Sequence, residues 1–216
     1  MKSLLNAIQN DNYFFEVFTC QIVSLIQNKQ KIKMSKRDGN FVTLIDVFKK
    51  VGKDPIRYYM ISTKNETNID FDLDEVIKKN KDNNVFYCQY AYARASSIIN
   101  KGKELNIETQ NLQNLNQFTK NITNDEQKII KLMISYPYVL YQSAFYNEPH
   151  RLINYLETLS SIFHSIWNKG RDNESLRFID SKNIDRTIVK LFWIQNFRII
   201  LRDIFSIIGI DAHEKM

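Results

Sequence analysis

Apolar residues in the second half of the chain recur three or four positions apart, which is the spacing of one buried helical face. The clearest stripe consists of Leu152, Leu156, Leu159, Phe163 and Ile166. Pro149 precedes this stripe and suits a helix start, because proline has no amide hydrogen to leave unpaired in a first turn. Gly170 follows the stripe and is expected to end the helix, as glycine often does.

The C-terminal segment carries a second helical stripe. This stripe consists of Val189, Trp193, Phe197, Ile200, Ile204 and Ile208. The residues Arg198, Arg202 and Asp203 fall on the opposite, polar face. Gly209 is positioned to end this last helix, since it follows the final apolar residue of the stripe.

Two further helical patterns precede these stripes. Residues 84–100 form one candidate helix, and residues 125–146 form a pair of helices or one helix broken near Pro137, because proline disrupts a helix interior. An Asn/Gln-rich loop separates the two patterns. We therefore predict that residues 86–216 fold as an antiparallel helix bundle.

The N-terminal part has a different pattern. Residues 18–26 are β-branched and alternating, Asn28 and Lys29 suit a turn, and residues 31–34 complete a short hairpin. A polar loop containing Gly39 follows the hairpin.

Two short helices are predicted after that loop. Thr43 is a suitable N-cap for the first helix, which Gly52 ends. Its apolar positions are Leu44, Val47, Phe48 and Val51. Asp54 and Pro55 begin the second helix. The polar, acidic residues 65–74 separate this region from the bundle, and we place the domain boundary near residue 85.

Composition agrees with a mainly α fold. The chain has 216 residues, 44% of them hydrophobic, with only 5 Gly and 3 Pro to break helices. Its net charge of +6 suits a polyanionic partner, although charge alone is weak support for nucleic-acid binding. The cysteines Cys20 and Cys88 form no disulfide framework or CxxC pair, and no apolar run approaches the length of a membrane span. We expect a soluble, cytoplasmic protein.

The segment of residues 33–37, which reads KMSKR, carries the strongest chemical signal. Five basic residues and no acidic one fall between residues 29 and 37. A lysine such as Lys36 and a hydroxyl such as that of Ser35 can contact triphosphate oxygens, and a positioned lysine stabilises charge that develops there during attack on ATP. The plainer alternative is a solvated basic loop.

This segment resembles the KMSKS signature of class I aminoacyl-tRNA synthetases, with Arg37 in place of the final serine. The resemblance implies an ATP site at Lys33, Met34, Ser35, Lys36 and Arg37. Lys36 would be the main catalytic group, and ATP with Mg²⁺ would be a substrate. No other cofactor is implied.

The segments around this signature indicate which synthetase family the chain resembles. GNFVTLIDVFKKVGKDPIRYYMIS, IDFDLD, DNNVFYCQYAYAR and the ending IIGIDAHEKM resemble the arginyl-tRNA synthetase family in order and spacing. The resemblance implies that residues 1–85 are the end of a class I catalytic domain. It also implies that residues 86–216 are a helical anticodon-binding domain of the DALR type, and that arginine and its tRNA are partners.

The same resemblance suggests tRNA contacts. Tyr90 and Arg94 lie four residues apart and project from one helical face, where an aromatic ring and a guanidinium can hold an unpaired base and a phosphate. Tyr155, Trp167 and Met216 match other positions near the anticodon surface. Each of these side chains is equally compatible with a packing role.

No metal site is predicted. His150, His164 and His213 have no ligand spacing, and His164 is expected to pack at a helix edge. The acidic run of Asp70, Asp72, Asp74 and Glu75 is more typical of a solvated face.

A HIGH-type motif and a nucleotide-binding sheet are absent from the 216 residues. We therefore expect the chain to be inactive alone, monomeric, and to need a missing N-terminal half as a partner. The alternatives are a non-catalytic tRNA-binding fragment and a plain helical protein.

Overall fold

The computed structural model describes residues 17–32, 42–80, 82–107, 109 and 122–216. The described chain is mainly helical with one small sheet, which confirms the predicted fold class.

The sheet has three strands in the order β2-β1-β3, where β1 is Val23–Gln27, β2 is Gln30–Lys31 and β3 is Ile69–Asp72. The predicted hairpin is present, because β1 and β2 pair antiparallel through a two-residue turn. Both turn residues, Asn28 and Lys29, have positive φ angles of 52° and 61°, as a type I′ hairpin turn requires. Strand β1 begins at Val23 and not at residue 18.

Strand β3 corrects the prediction of a polar linker over residues 65–74. It pairs parallel to β1, with Leu25 opposite Phe71, and Phe71 is only 1% exposed. The alternation of Ile69 and Phe71 with aspartates is a period-two strand pattern, which the low strand propensity of aspartate obscured. Asp70 pairs with Lys31 across the sheet.

Helix α1 is Leu44–Val51 and helix α2 is Lys53–Ile61. The predicted cap is confirmed: the Thr43 hydroxyl accepts from the Asp46 amide in a capping box. Gly52, with a φ of 81°, ends α1. Only Val47 and Val51 of the predicted apolar positions are buried, whereas Leu44 and Phe48 are 72% and 52% exposed.

Five longer helices follow. They are α3 (Asn84–Glu104), α4 (Asn124–Ile134), α5 (Tyr136–Phe145), α6 (His150–Asp172) and α7 (Ile184–Ile208). The break predicted near Pro137 lies at Ser135, so the segment is a helix pair. Every residue of the predicted α6 stripe is buried, and α3 packs on both α6 and α7. The bundle is thus confirmed.

Two glycine predictions had different outcomes. Gly209 ends α7 in the left-handed conformation, with a φ of 74°, as predicted. Gly170 does not end α6, which continues to Asp172. A Cβ on Gly170 would lie 3.1 Å from the Leu176 carbonyl oxygen and 3.2 Å from the Arg177 Cα, so this glycine admits a close backbone crossing.

The predicted α7 stripe is confirmed at Trp193, Phe197, Ile204 and Ile208, which are buried, but the buried face of the helix is wider than predicted. Val189 and Ile200 are only partly buried, whereas Leu191, Ile194, Leu201 and Phe205 are fully buried. A helix that packs on more than one neighbour buries a wider arc than a single stripe.

Helix α2 joins the sheet region to the bundle. Tyr58 belongs to the bundle core, and Tyr59 packs against both hydrophobic clusters. The Gln89 side-chain amide of α3 donates to the Asp54 carboxylate at 2.7 Å and to the Asp211 carbonyl at 2.9 Å. Arg57 donates to the Ile208 carbonyl at 2.9 Å. The C-terminal segment is thereby tied to both α2 and α3.

Candidate nucleic-acid interface

The predicted ATP-site residues Lys33, Met34, Ser35, Lys36 and Arg37 lie outside the described residues. The two flanks of this segment are described. Before it, the Ile32 amide donates to the Leu25 carbonyl at 2.8 Å, and after it Thr43 caps α1.

Three of the predicted tRNA-contacting residues meet at one surface, where α3 packs against α6. The Arg94 guanidinium carbon lies 4.2 Å from the centroid of the Tyr90 ring and 4.8 Å from that of the Trp167 ring. Arg94 also donates to the Tyr90 hydroxyl at 3.3 Å. We call Tyr90, Arg94, Trp167 and His164 the α3–α6 cluster. Aromatic rings and arginine guanidinium planes are both surfaces on which proteins stack unpaired bases.

His164 completes the cluster, although sequence reasoning placed it at a helix edge. It is buried, and its Nδ1 lies 3.0 Å from an Arg94 terminal nitrogen while its Nε2 lies 3.0 Å from the Tyr87 carbonyl oxygen. Burial lowers the pKa of His164, the bond to Tyr87 opposes that shift, and the Arg94 charge adds to it. The usable sequence signal was its spacing of three residues from Trp167, which places both on one helical face.

One guanidinium group in the cluster is incompletely paired. The Nε of Arg94 is buried and has no hydrogen-bond partner among the described residues. A buried donor without an acceptor is costly and unusual in a folded protein.

Tyr155 has a different setting from the α3–α6 cluster. It is 6% exposed, its hydroxyl donates to the Leu132 carbonyl at 2.9 Å, and its ring lies 5.8 Å from that of Tyr136. Burial raises the pKa of its phenol. These contacts describe a packing residue between α6 and the α4–α5 pair.

Met216 is 50% exposed and lines a cavity of about 530 Å³ between α2, α3 and the C-terminal segment. Lys53, Phe86 and Gln89 line the same cavity. Trp167 lines another cavity, so the structure does not bring these two predicted contacts into one pocket.

The cavity beside Trp167 has a volume of about 460 Å³ and a basic rim. Lys101, Arg171 and Arg177 line it together with the apolar Ile98 and Phe178. Each of the three cations has an acidic neighbour in sequence, namely Glu104, Asp172 and Glu174. These ion pairs are exposed and therefore contribute little to the stability of the fold.

Lys190 holds the loop that forms one wall of this cavity. Its ammonium donates to the carbonyls of Leu176 and Arg177 at 2.9 and 2.6 Å. Its side chain is 3% exposed and lies 3.8 Å from a Glu126 oxygen. Burial lowers the pKa of Lys190 to about 8, and Glu126 opposes that shift. Sequence reasoning did not identify this buried lysine.

Among the described residues, no group of three or more His, Cys, Asp or Glu side chains is arranged to hold a metal ion. Two carboxylates of the acidic run accept hydrogen bonds from the backbone. Asp72 accepts from the Asp74 and Glu75 amides, and Asp74 accepts from the Asn28 amide. No described helix is long and apolar enough to cross a membrane.

Comparison with known families defines the class of protein. Residues 88–216 match the model of the DALR anticodon binding domain, and residues 3–72 match that of class I tRNA synthetases for Ile, Leu, Met and Val. The chain belongs to the DALR anticodon-binding domain family. It also carries a class I synthetase segment in front of that domain.

The individual relatives are arginine–tRNA ligases, which confirms the resemblance predicted from the sequence. The ligase of Bartonella bacilliformis is 38% identical over 219 residues, and that of Bartonella henselae is 39% identical over 218 residues. Both alignments include all of this chain but only 37% of the relative. The chain thus spans little more than a third of the curated relatives that it matches.

Solved structures agree with this relationship. A crystal structure from Campylobacter jejuni assigned to arginyl-tRNA synthetase superposes with a TM-score of 0.73 at 25% identity, over 91% of this chain and 40% of that one. The arginyl-tRNA synthetase of Thermus thermophilus superposes with a TM-score of 0.64 at 22% identity, over 84% of this chain and 29% of the other, and so supports the fold alone.

Proposed function

We propose that this chain supplies the tRNA-binding domain and one loop of the ATP site to an arginine–tRNA ligase, which activates arginine with ATP and attaches it to tRNA. The observation that carries the proposal is the position of Arg94 against both Tyr90 and Trp167. The family relationship supports the assignment of this surface to tRNA.

In this proposal Tyr90, Arg94 and Trp167 of the α3–α6 cluster bind an unpaired base and its phosphate. The aromatic faces supply stacking, which contributes about 1–3 kcal/mol per base in proteins of this kind. Arg94 supplies a planar charge that hydrogen-bonds a phosphate or base edge while remaining stacked. Lys101, Arg171 and Arg177 extend the positive surface along the neighbouring cavity.

Tyr155 and Met216 take different roles in the proposal. Tyr155 supports the surface from the core, since its hydroxyl and ring are already occupied there. Met216 remains a candidate for direct contact, because its exposed side chain faces a cavity.

The ATP-site assignment rests on the sequence signature. Lys33, Met34, Ser35 and Arg37 would bind ATP with its Mg²⁺, and Lys36 would stabilise the negative charge that develops as pyrophosphate departs. A domain boundary near residue 85, between residues 1–85 and 86–216, forms part of the same proposal. The cytoplasmic location and the monomeric state stay predictions.

A second candidate function is tRNA binding without catalysis. It is supported by the match of residues 88–216 to an anticodon binding domain, which is a binding module and not a catalytic one. In that case the bundle binds tRNA, while the basic loop has no catalytic partner. The same chain would act as a full ligase component when an N-terminal half completes the site.

The test is filter binding of the purified chain to arginine tRNA and to an unrelated tRNA across a salt series. Arginine-dependent ATP–pyrophosphate exchange is measured in parallel, with and without a separately expressed N-terminal ligase half from a relative. Selective binding with restored exchange supports the ligase proposal. Selective binding without exchange supports the second candidate, and equal binding of both tRNAs contradicts both.

A further inference from the structure

His164 is held between two groups whose hydrogen-bonding roles are fixed. The terminal nitrogen of Arg94 can only donate, and it lies 3.0 Å from Nδ1. The Tyr87 carbonyl oxygen can only accept, and it lies 3.0 Å from Nε2. The two contacts therefore select one form of the ring, the neutral imidazole with its proton on Nε2.

The groups facing the ring keep it in this form. From α3 it is faced by Tyr87, Tyr90 and Arg94, and within α6 its ring packs near Phe163. Arg94 is the charged side chain that acts on His164 among the described residues. A proton on Nδ1 would place one N–H group against another and bring two positive charges together.

Arg94 in turn depends on His164. Arg94 hydrogen-bonds the His164 ring at 3.0 Å and the Tyr90 hydroxyl at 3.3 Å, so the contact with His164 is the shorter of the two. A free arginine side chain loses considerable rotamer entropy when it is ordered, so a fixed acceptor that orders it before binding strengthens recognition.

We propose that neutral His164 is a positioning residue that fixes Arg94 between the rings of Tyr90 and Trp167, and that protonation of His164 releases Arg94 and weakens RNA binding in acid. The proposal rests on the assignment of the α3–α6 cluster to tRNA. His164 touches no ligand in this account and acts through Arg94 alone.

Two substitutions of His164 distinguish the role of Nδ1 from that of Nε2. In His164→Asn the amide oxygen lies near the position of Nδ1, so the acceptor for Arg94 is kept. In His164→Gln the longer side chain reaches the position of Nε2, which keeps the bond to Tyr87 and leaves Arg94 without its acceptor. Thermal unfolding and circular dichroism establish that both variants are folded.

The binding measurement uses the full chain and arginine tRNA at pH 7.5. We expect His164→Asn to stay within about threefold of wild type and His164→Gln to lose about tenfold, the loss expected for one hydrogen bond to a charged group. Wild-type affinity should fall as the pH is lowered below the range in which histidine ordinarily titrates, although acid adds positive charge to the protein. This fall should be absent in His164→Asn. Equal affinities of the two variants, or a wild-type affinity that only rises in acid, would overturn the proposal.

Nitrogen-15 NMR of the histidine ring supplies a readout that needs no tRNA. The expected spectrum at pH 7.5 shows an unprotonated Nδ1 and a protonated Nε2, and Arg94→Ala should raise the pH at which His164 titrates. The opposite tautomer overturns the positioning proposal whatever the tRNA does. The expected tautomer together with unchanged tRNA binding by Arg94→Ala contradicts the function assigned to the cluster.

Discussion

The guanidinium carbon of Arg94 lies 4.8 Å from the centroid of the Trp167 ring, so a side chain of α3 and one of α6 form a single surface. Neither residue is a strong candidate alone, because tryptophan and arginine are both common packing residues at helix surfaces. Their contact, with Tyr90 on the same guanidinium, is the basis of the proposal that this surface binds a stacked base and its phosphate.

Substitution of Arg94 tests the phosphate contact. Arg94→Ala should weaken tRNA binding and reduce the slope of log affinity against log salt by about one, as expected for one lost phosphate contact. Arg94→Lys is the matched control, because it keeps the charge and loses the planar stacking group. It should retain the slope but not the full affinity. An unchanged slope in Arg94→Ala would assign Arg94 to packing.

Trp167 and Tyr155 were predicted as equivalent contacts, and their surroundings now separate them. Trp167→Ala should cost about 1–3 kcal/mol of tRNA binding through lost stacking. Tyr155→Phe should leave tRNA affinity unchanged and lower the free energy of unfolding by at most about 1 kcal/mol, since the bond to the Leu132 carbonyl is lost while that carbonyl keeps its bonds from Ser135. Filter binding and urea unfolding of both variants check this, and the reverse pattern would exchange their roles.

The predicted ATP loop has its own test in the completed ligase. Lys36→Ala should lower the rate of arginine-dependent ATP–pyrophosphate exchange by at least tenfold, because one transition-state cation is removed. Its tRNA affinity should barely change. Lys29→Ala, a basic residue of the preceding hairpin turn, serves as a control for general charge. A variant that activates arginine normally but no longer binds tRNA would contradict the assignment.

Helix positions were predictable because their apolar spacing is a local property of the sequence. The α6 stripe, the Thr43 cap and the break near Pro137 all depend on residues a few positions apart. Strand β3 was not predicted, since its stability comes from parallel pairing with β1, more than forty residues away. Local propensity does not report such a partner.

The site was predictable only in part for the same reason. Tyr90 and Arg94 share one helical turn, so their association follows from spacing. The roles of His164 and Lys190 depend on which backbone carbonyls other elements bring to them, those of Tyr87 in one case and of Leu176 in the other. Those contacts exist only after the bundle has formed.

Gly170 offers a test of the backbone crossing beside the basic cavity. An alanine inside a helix usually stabilises by about 0.5–1 kcal/mol relative to glycine. Gly170→Ala should not show this gain, because its Cβ would meet the Leu176 carbonyl oxygen at 3.1 Å. Gly170→Val should lose roughly 1–3 kcal/mol through overpacking. A higher melting temperature for Gly170→Ala would show that the crossing tolerates a methyl group.

The lowered pKa of the buried Lys190 predicts an unusual dependence of the free energy of unfolding on pH. Its pKa is lowered to about 8 in the folded chain, chiefly by burial, whereas a lysine in the unfolded chain titrates near about 10.4. Between these values the unfolded state binds more protons than the folded state, so the Lys190 contribution to stability rises with pH. The full change is roughly 3 kcal/mol, because each pKa unit corresponds to about 1.36 kcal/mol.

To measure this rise, the free energies of unfolding of wild type and of Lys190→Met are determined in urea from pH 7 to pH 10, and the second is subtracted from the first. The subtraction removes other groups, including Tyr58 and Tyr155, whose pKa values are raised by burial and which lower stability at still higher pH. The free energy of unfolding of wild type should rise relative to that of Lys190→Met from pH 7 to pH 10. A constant difference would mean that Lys190 keeps its proton, and that the Leu176 and Arg177 carbonyls, together with Glu126, stabilise the buried charge fully.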